Sequence, residues 1–343
     1  MKTILIILDG ASEEKIKELN NMTPLEFANT PALDKLRKMG KQDRRKFFPH
    51  NRMPDSLCCI LSILGVDESL IPENRAYLEL LAAGIEIDNS EVALRCNLVS
   101  IENNKLSSFN GQGLSAEQMS EYSKKVITDN KLKFYHISDY RNILVINKNM
   151  MEYKLKNMPP HENVGEPIEK LLSNIKDHAL NGFIRQNQFS LNKKDYMFYP
   201  WGVSKKTKLP SFYELHKKSC SCVCKAEILK GICKSMEIAL PKLNYATADV
   251  NTSLKEKANA VLNEIKHYDL VIAHINGTDE VSHRKDIMGK VKFIEKIDKE
   301  FISLVIENVK NTKVIVLSDH QTSSVTGNHE KGFVDIIETI IKE

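Results

Sequence analysis

Three apolar runs of strand length stand near the two ends of the chain: Thr3-Ile-Leu-Ile-Ile-Leu8, Asp269-Leu-Val-Ile-Ala-His-Ile275 and Val314-Ile-Val-Leu317. Their near-continuous hydrophobicity predicts strands of a parallel sheet covered on both faces. Each run leads directly into side chains that can hold a cation: Asp9 after the first, Asp279 and His283 after the second, Asp319 and His320 after the third. Asn276-Gly277 reads as a turn, and if the segment beyond it is helical, the spacing of four puts Asp279 and His283 on one face. Any single Asp at a strand end reads more simply as a turn or helix-cap residue. Three such strands together point to a metal site above the sheet's C-terminal edge, where open α/β folds place their ligands.

The intervening chain changes periodicity twice. Thr30 before Pro31 predicts the N-cap and first residue of a helix with Leu33 and Leu36 inside. The basic stretch from Lys35 to Arg52 reads as a solvated helix face and loop. Ser56 precedes the apolar, helix-like segment Leu57-Cys-Cys-Ile-Leu-Ser-Ile-Leu-Gly65. Alone it reads as an N-cap; beside a divalent cation, at a helix start that favours anions, it becomes a competent nucleophile. From about Asp88 shorter strands appear, 92–101 and 142–147, with a capping-box helix from Ser115, ending near Tyr199-Pro-Trp-Gly202. The expected organisation is a core domain of residues 1–87 and 203–343, and an inserted α+β lid or substrate domain of residues 88–202. The returning core carries expected strands at Cys220–Cys224 and Ile238–Leu240 and a helix from Leu254 to Ile265. A further helix has the apolar stripe Val291, Ile294, Ile297, Phe301 and Leu304 or Val305.

Composition narrows the class. With 343 residues, 42% hydrophobic and 27% charged, the chain reads as a soluble globular protein of more than one unit. A net charge of +4 with mostly interleaved signs carries no nucleic-acid footprint. The start of the chain shows neither a signal peptide nor a bilayer-spanning run, and seven cysteines, an odd number with mostly apolar or small neighbours, suit reduced thiols; a cytoplasmic protein is expected. Cys220, Cys222 and Cys224 alternate onto one strand face, but without a CxxC pair or a nearby His they favour a strand of buried thiols over a zinc site. Neither GxxxxGK[ST] nor GxGxxG is present, so no familiar nucleotide loop is available.

A series of short motifs runs in order through nearly the whole chain. They are Leu8-Asp9-Gly10, Thr23-Pro-Leu-Glu26, Thr30-Pro-Ala-Leu-Asp34, Leu61-Ser-Ile-Leu-Gly65, Arg75-Ala-Tyr-Leu-Glu79 and Arg95-Cys-Asn-Leu-Val99, then Pro159-Pro-His161, Trp201-Gly202, Leu209-Pro-Ser-Phe212, Thr278-Asp-Glu-Val-Ser-His283, Asp319-His320 and His329. In this order they resemble the alkaline-phosphatase superfamily, specifically the archaeal-type cofactor-independent phosphoglycerate mutases and their relatives proposed to be homoserine kinases. The resemblance implies an alkaline-phosphatase-like three-layer α/β/α core with a mainly parallel sheet, plus the inserted α+β domain. It implies two divalent metal ions, Mn²⁺ or Zn²⁺. One would rest on Asp279, His283 and His329, the other on Asp9, Ser56, Asp319 and His320. It implies phosphoryl transfer through a phosphoserine on Ser56, with 2- and 3-phosphoglycerate the first-choice substrates. Arg75, with Arg95, Arg141 and Lys205, would hold the rest of an anionic substrate.

The departures from the family pattern cluster at the nucleophile. Leu57-Cys58-Cys59-Ile60 replaces the usual Asp and small polar run, the loop Lys46–Asp55 replaces a proline- and glycine-rich one, and Asn74 replaces a glycine before Arg75. Two further readings therefore stay open: a phosphotransferase or phosphatase for another small phosphorylated metabolite, homoserine-kinase-like, and a catalytically impaired metal-binding paralogue. No nucleic-acid or membrane partner is expected, and the sequence leaves the oligomeric state open.

Overall fold

A computed structural model describes residues 1–49, 52–151 and 155–342; His50 and Asn51, in the loop before Ser56, lie outside the described residues. The chain divides into two compact units, Met1–Ile71 with Leu209–Glu343, and Pro72–Lys208. The boundaries thus fall at 72 and 208 rather than at 88 and 202. The helix Ala76–Ala82 packs on the strands Glu91–Glu102 and Lys194–Lys205, and the second of these runs straight through Trp201-Gly202.

In the first unit a six-stranded sheet has the order Lys41–Arg45, Val334–Ile341, Thr312–Leu317, Lys2–Leu8, Leu270–Ile275, Cys220–Val223. The last four are parallel, as their unbroken hydrophobicity predicts; the first two are antiparallel. Side chains alternate between the faces. One face, with Ile4, Ile6, Leu8, Val271, Ala273, Ile275, Val314 and Val316, buries against Leu33, Leu36, Ala258, Val261, Phe301 and Val305. Each such fully buried aliphatic side chain contributes about 1.5–3 kcal/mol. The other face carries Leu5, which lines one cavity with Ile63 at the end of the helix Ser56–Ile63, and Cys222, which meets Cys233 of the helix Glu227–Ser235. Helices on both faces make the expected three-layer α/β/α core.

Several local expectations change. Lys41–Arg45 forms a fully exposed edge strand instead of a loop, its charges guarding the open edge of the sheet. Residues 238–240 make only an isolated bridge, Ser221 to Ala239. Thr30 occupies the N-cap position of the helix Pro31–Met39 without capping it. The Asp298 carboxylate instead accepts from the N–H groups of Ala32 and Leu33, at 3.0 and 2.7 Å. Asp298 opens a π-turn, Asp298–Ile302, which keeps Phe301 and Val305 on the buried side of the predicted stripe.

The second unit is α+β. Its antiparallel sheet runs Leu132–Ser138, Arg141–Asn147, Glu91–Glu102, Lys194–Lys205, Phe189–Leu191, with Lys105–Ser108 added beside Glu91–Glu102. The capping box at Ser115 and Gln118 is formed as predicted. Among the described residues no helix is long and apolar enough to cross a membrane.

Candidate metal centre

The parallel register determines what meets at the sheet's edge. Ile7 lies opposite both His274 and Leu317, so the strands end level and Asp9, Asn276 and Asp319 emerge together. Gly10 turns the chain with φ +60°, and a Cβ there would stand 2.7 Å from Asp279 Oδ1 and 2.5 Å from Thr322 Oγ1. The glycine is what lets the first strand's end approach the other two.

Ser56 enters this edge from its helix. Asp55 is the N-cap, its carboxylate accepting from the Cys58 N–H at 2.8 Å. Ser56 is therefore the first helical residue and its hydroxyl is released from capping. Its Oγ lies 3.4 Å from Asp9 Oδ1 and 3.4 Å from His320 Nε2. His320 Nε2 is in turn 3.3 Å from Asp9 Oδ1 and 3.5 Å from Asp319 Oδ2. Asp9, Ser56, Asp319 and His320 thus converge.

Asp279, His283 and His329 converge beside them. His283 Nε2 is 3.2 Å from Asp279 Oδ2, and His329 Nε2 is 3.6 Å from Asp279 Oδ1. A carboxylate oxygen of Asp279 also lies within 4.8 Å of a ring nitrogen of His320, so the two groups adjoin. As predicted, Asp279 and His283 share one face of a helix, Gly277–His283; Asn276-Gly277 opens that helix instead of making a separate turn.

The ring hydrogen bonds test whether cations fit. His283 Nδ1 meets the Gly327 carbonyl and His329 Nδ1 the Pro54 carbonyl. A carbonyl only accepts, so both Nδ1 atoms carry hydrogen. Thr322 Oγ1 has one hydrogen, donated to Asp279 at 2.6 Å, and accepts from His320 Nδ1 at 3.1 Å. All three rings accordingly aim Nε2 inward at carboxylates. Asp319 Oδ1 accepts from the Gly10 and His320 N–H groups, while Oδ2 is buried and, among the described residues, has no hydrogen-bond partner. These are the donor atoms of a carboxylate–imidazole site for divalent ions, and they fit.

Electrostatics agree. Burial and then the Asp9 carboxylate push Asp319 up to about 7. Burial and Asp279 act to raise Asp9 as well, but His274 and His320 hold it at about 2. Burial opposes charge on His283, yet Asp279 raises it to about 9. Protons on the imidazoles partly balance the clustered carboxylates, a place that cations would take.

All four candidate substrate-binding residues lie in the second unit, and three of them draw together. Arg75 Nε and Arg95 Nε each lie 3.0 Å from one oxygen of Glu79. The Arg95 guanidinium stacks 4.5 Å from the Trp201 ring, and the indole N–H donates to Asn97 Oδ1 at 3.0 Å. Arg141 stacks 4.5 Å from the Tyr140 ring. Burial and then the charge of Arg75 lower Arg95 to about 10, with Arg141 adding to the effect. Lys205, exposed at the end of its strand, takes no part in the Glu79 network.

Sequence reasoning missed the supporting residues. His274 and Asn276 reach Asp9 Oδ2 at 3.4 and 2.8 Å, Thr322 bridges Asp279 and His320, and Glu79 holds the arginines. His274, polar in the middle of an apolar strand, was the visible signal.

Comparison with known proteins extends over the same span. A 2,3-bisphosphoglycerate-independent phosphoglycerate mutase of Methanosarcina acetivorans is 29% identical over 352 residues, covering 96% of this chain and 88% of the relative. A solved structure from Pyrococcus horikoshii superposes with TM-score 0.76 at 23% identity, covering 99% of this chain and 87% of that one. A cofactor-independent phosphoglycerate mutase from Thermoplasma acidophilum superposes with TM-score 0.58 at 18% identity, covering 99% and 90%. These two likenesses establish the fold. The model of the metalloenzyme superfamily matches residues 1–339, a span that includes every residue of the converging group, and the chain belongs to that alkaline-phosphatase-like superfamily.

Proposed function

We propose that this chain transfers a phosphoryl group through a phosphoserine on Ser56 and interconverts 2- and 3-phosphoglycerate. The observation that carries the proposal is the position of Ser56 Oγ, 3.4 Å from both Asp9 Oδ1 and His320 Nε2 at the start of a helix. The name borne by the Methanosarcina relative supports the choice of substrate.

Asp55 accepts from the Cys58 N–H, and among the described residues the N–H groups of Ser56 and Leu57 take no protein acceptor. Those two groups would receive phosphoryl oxygens at the positive end of the helix. Bound on Asp279, His283 and His329, and on Asp9, Ser56, Asp319 and His320, two divalent cations, Mn²⁺ or Zn²⁺, would lower the serine pKa and neutralise the transferring oxygens. Ser56 Oγ would attack phosphorus in line, the bond to the leaving hydroxyl oxygen would break, and the second hydroxyl of the same acid would then reclaim the group. Arg75, Arg95 and Arg141 would hold the carboxylate, which suits their planar forks. Lys205 remains a candidate only by its place in the sequence.

One observation favours a second substrate. Leu57, Cys58 and Cys59 are at most 1% exposed, so none of the three residues after Ser56 offers a polar side chain to a leaving oxygen. A phosphotransferase or phosphatase for another small phosphometabolite is the corresponding alternative. A phosphorus NMR time course of the Mn²⁺-loaded protein with 3-phosphoglycerate separates these readings. Formation of 2-phosphoglycerate, absent with Ser56→Ala, is the expected result. Release of inorganic phosphate would favour the alternative, and no turnover with any phosphometabolite would indicate an impaired paralogue.

A further inference from the structure

Behind the strand ends, the sheet face that meets the helix Glu227–Ser235 carries a second group of donors unrelated to the carboxylate–imidazole centre. Cys222 and Cys224 point to the same side, and Cys233 comes from the helix to join them; all three sulfurs lie within 4.8 Å of one another. The cysteines are 0%, 4% and 0% exposed. Cys220, on the same strand, is not part of the group, so the run of alternating cysteines supplies two ligands and the helix the third.

Two buried nitrogen-bearing side chains, His274 and Lys257, come from elements packed against this strand. Ala273 lies opposite Val223, so His274 follows beside Cys224 on the face shared with Cys222. Its ring is fully buried; among the described residues Nδ1 has no hydrogen-bond partner, and Nε2 stands 3.4 Å from Asp9 Oδ2. Lys257 is 1% exposed, and among the described residues its ammonium makes one hydrogen bond, to the His274 carbonyl at 3.3 Å. An ammonium so poorly solvated calls for a nearby negative charge. The thiols can supply it: hydrogen bonds from Cys222 and Cys233 hold Cys224 well below the usual thiol value.

We propose that Cys222, Cys224 and Cys233 bind a soft d10 cation. Thiolate sulfur selects Zn²⁺ or Cu⁺ over the hard cations. Charge balance favours Zn²⁺. Three thiolates and Zn²⁺ carry a net charge of −1, which the Lys257 ammonium cancels, whereas with Cu⁺ the same ammonium would leave −1 uncompensated. Each ligating thiol that is still protonated releases its proton to solvent, so the uptake is exchange of protons for metal. The ion would tie the edge strand Cys220–Val223 to the helix Glu227–Ser235.

The test uses the full chain, stripped with chelator and kept reduced, then titrated with Co²⁺ as a spectroscopic substitute. A thiolate-to-cobalt charge-transfer band in the near ultraviolet is expected, displaced by Zn²⁺, lost in Cys233→Ala and retained in Cys58→Ala. The second variant controls for the other thiols, because Cys58 and Cys59 lie 3.9 Å apart beside Ser56. X-ray absorption at the zinc edge of the unmutated protein needs no variant and should show sulfur neighbours at about 2.3 Å. A shell of nitrogen and oxygen alone would overturn the proposal, as would a cobalt band that survives in folded Cys233→Ala. Loss of two thiols to a disulfide under mild oxidation, with no band under reduction, would instead make the group a redox pair and equally sink it.

Discussion

His283 and His329 face each other through their Nε2 atoms at 3.2 Å, each ring pinned by a backbone carbonyl at Nδ1. The gap between them requires either a proton on one ring or a cation between both. Burial would lower the pKa of His283, but Asp279 overrides it and sets the value at about 9, so below that pH the metal-free protein carries the proton. A cation must then displace it. Apparent affinity at this position is expected to climb about tenfold per pH unit up to about 9 and to flatten above it. Calorimetry at neutral pH in buffers of different ionisation enthalpy should register a proton released for each cation bound; equal heats in all buffers would contradict this.

Asp319 offers a test with the opposite sign. Burial and Asp9 raise its pKa from 3.8 to about 7, so between those values the native metal-free state binds more protons than the unfolded chain. This group's contribution to stability is therefore greatest at low pH and is lost as pH rises toward 7. Asp319→Asn keeps an oxygen for the Gly10 and His320 N–H groups and removes the buried charge. It should stabilise the metal-free protein above pH 7 by about 1–3 kcal/mol while abolishing stabilisation by added metal. Thermal melts with and without Mn²⁺ check both parts, and a destabilised metal-free variant would refute the first.

Asp55 keeps Ser56 free. Removing the cap in Asp55→Ala costs about 1 kcal/mol in stability, and the Ser56 hydroxyl becomes the nearest substitute acceptor for the helix N–H groups. Phosphoryl transfer should fall well beyond what that small loss explains, with Asp55→Asn restoring much of it. If Asp55→Ala shows full kcat with only a lowered melting temperature, the capping account of Ser56 fails.

Glu79 is the only carboxylate shared by Arg75 and Arg95 in the described ion pairs, and Arg95 is nearly buried. Glu79→Gln leaves the Arg95 guanidinium without its anion and next to Arg75, which should cost about 3–5 kcal/mol. Chemical denaturation should show the loss, partly recovered by added carboxylate or phosphate. A variant as stable as the parent would mean that other groups balance the guanidinium.

The amino-acid sequence by itself determined the parallel strands and the acids at their ends, because an unbroken apolar run such as Thr3–Leu8 reports its two-sided burial locally and Asp9 follows it directly. The helical spacing of Asp279 and His283 was legible for the same reason. Tertiary structure decided everything that depends on register or on competition between distant groups. Level strand ends follow from Ile7 facing both His274 and Leu317, and they bring Asp9, Asn276 and Asp319 to one edge. Asp298 satisfies a helix start that Thr30 leaves uncapped, Asp55 takes the capping role from Ser56, and Cys233 joins Cys222 and Cys224 from eleven and nine residues away. Local pattern records how much of a side chain is buried; which partner it meets there depends on the packing of elements far apart in the chain.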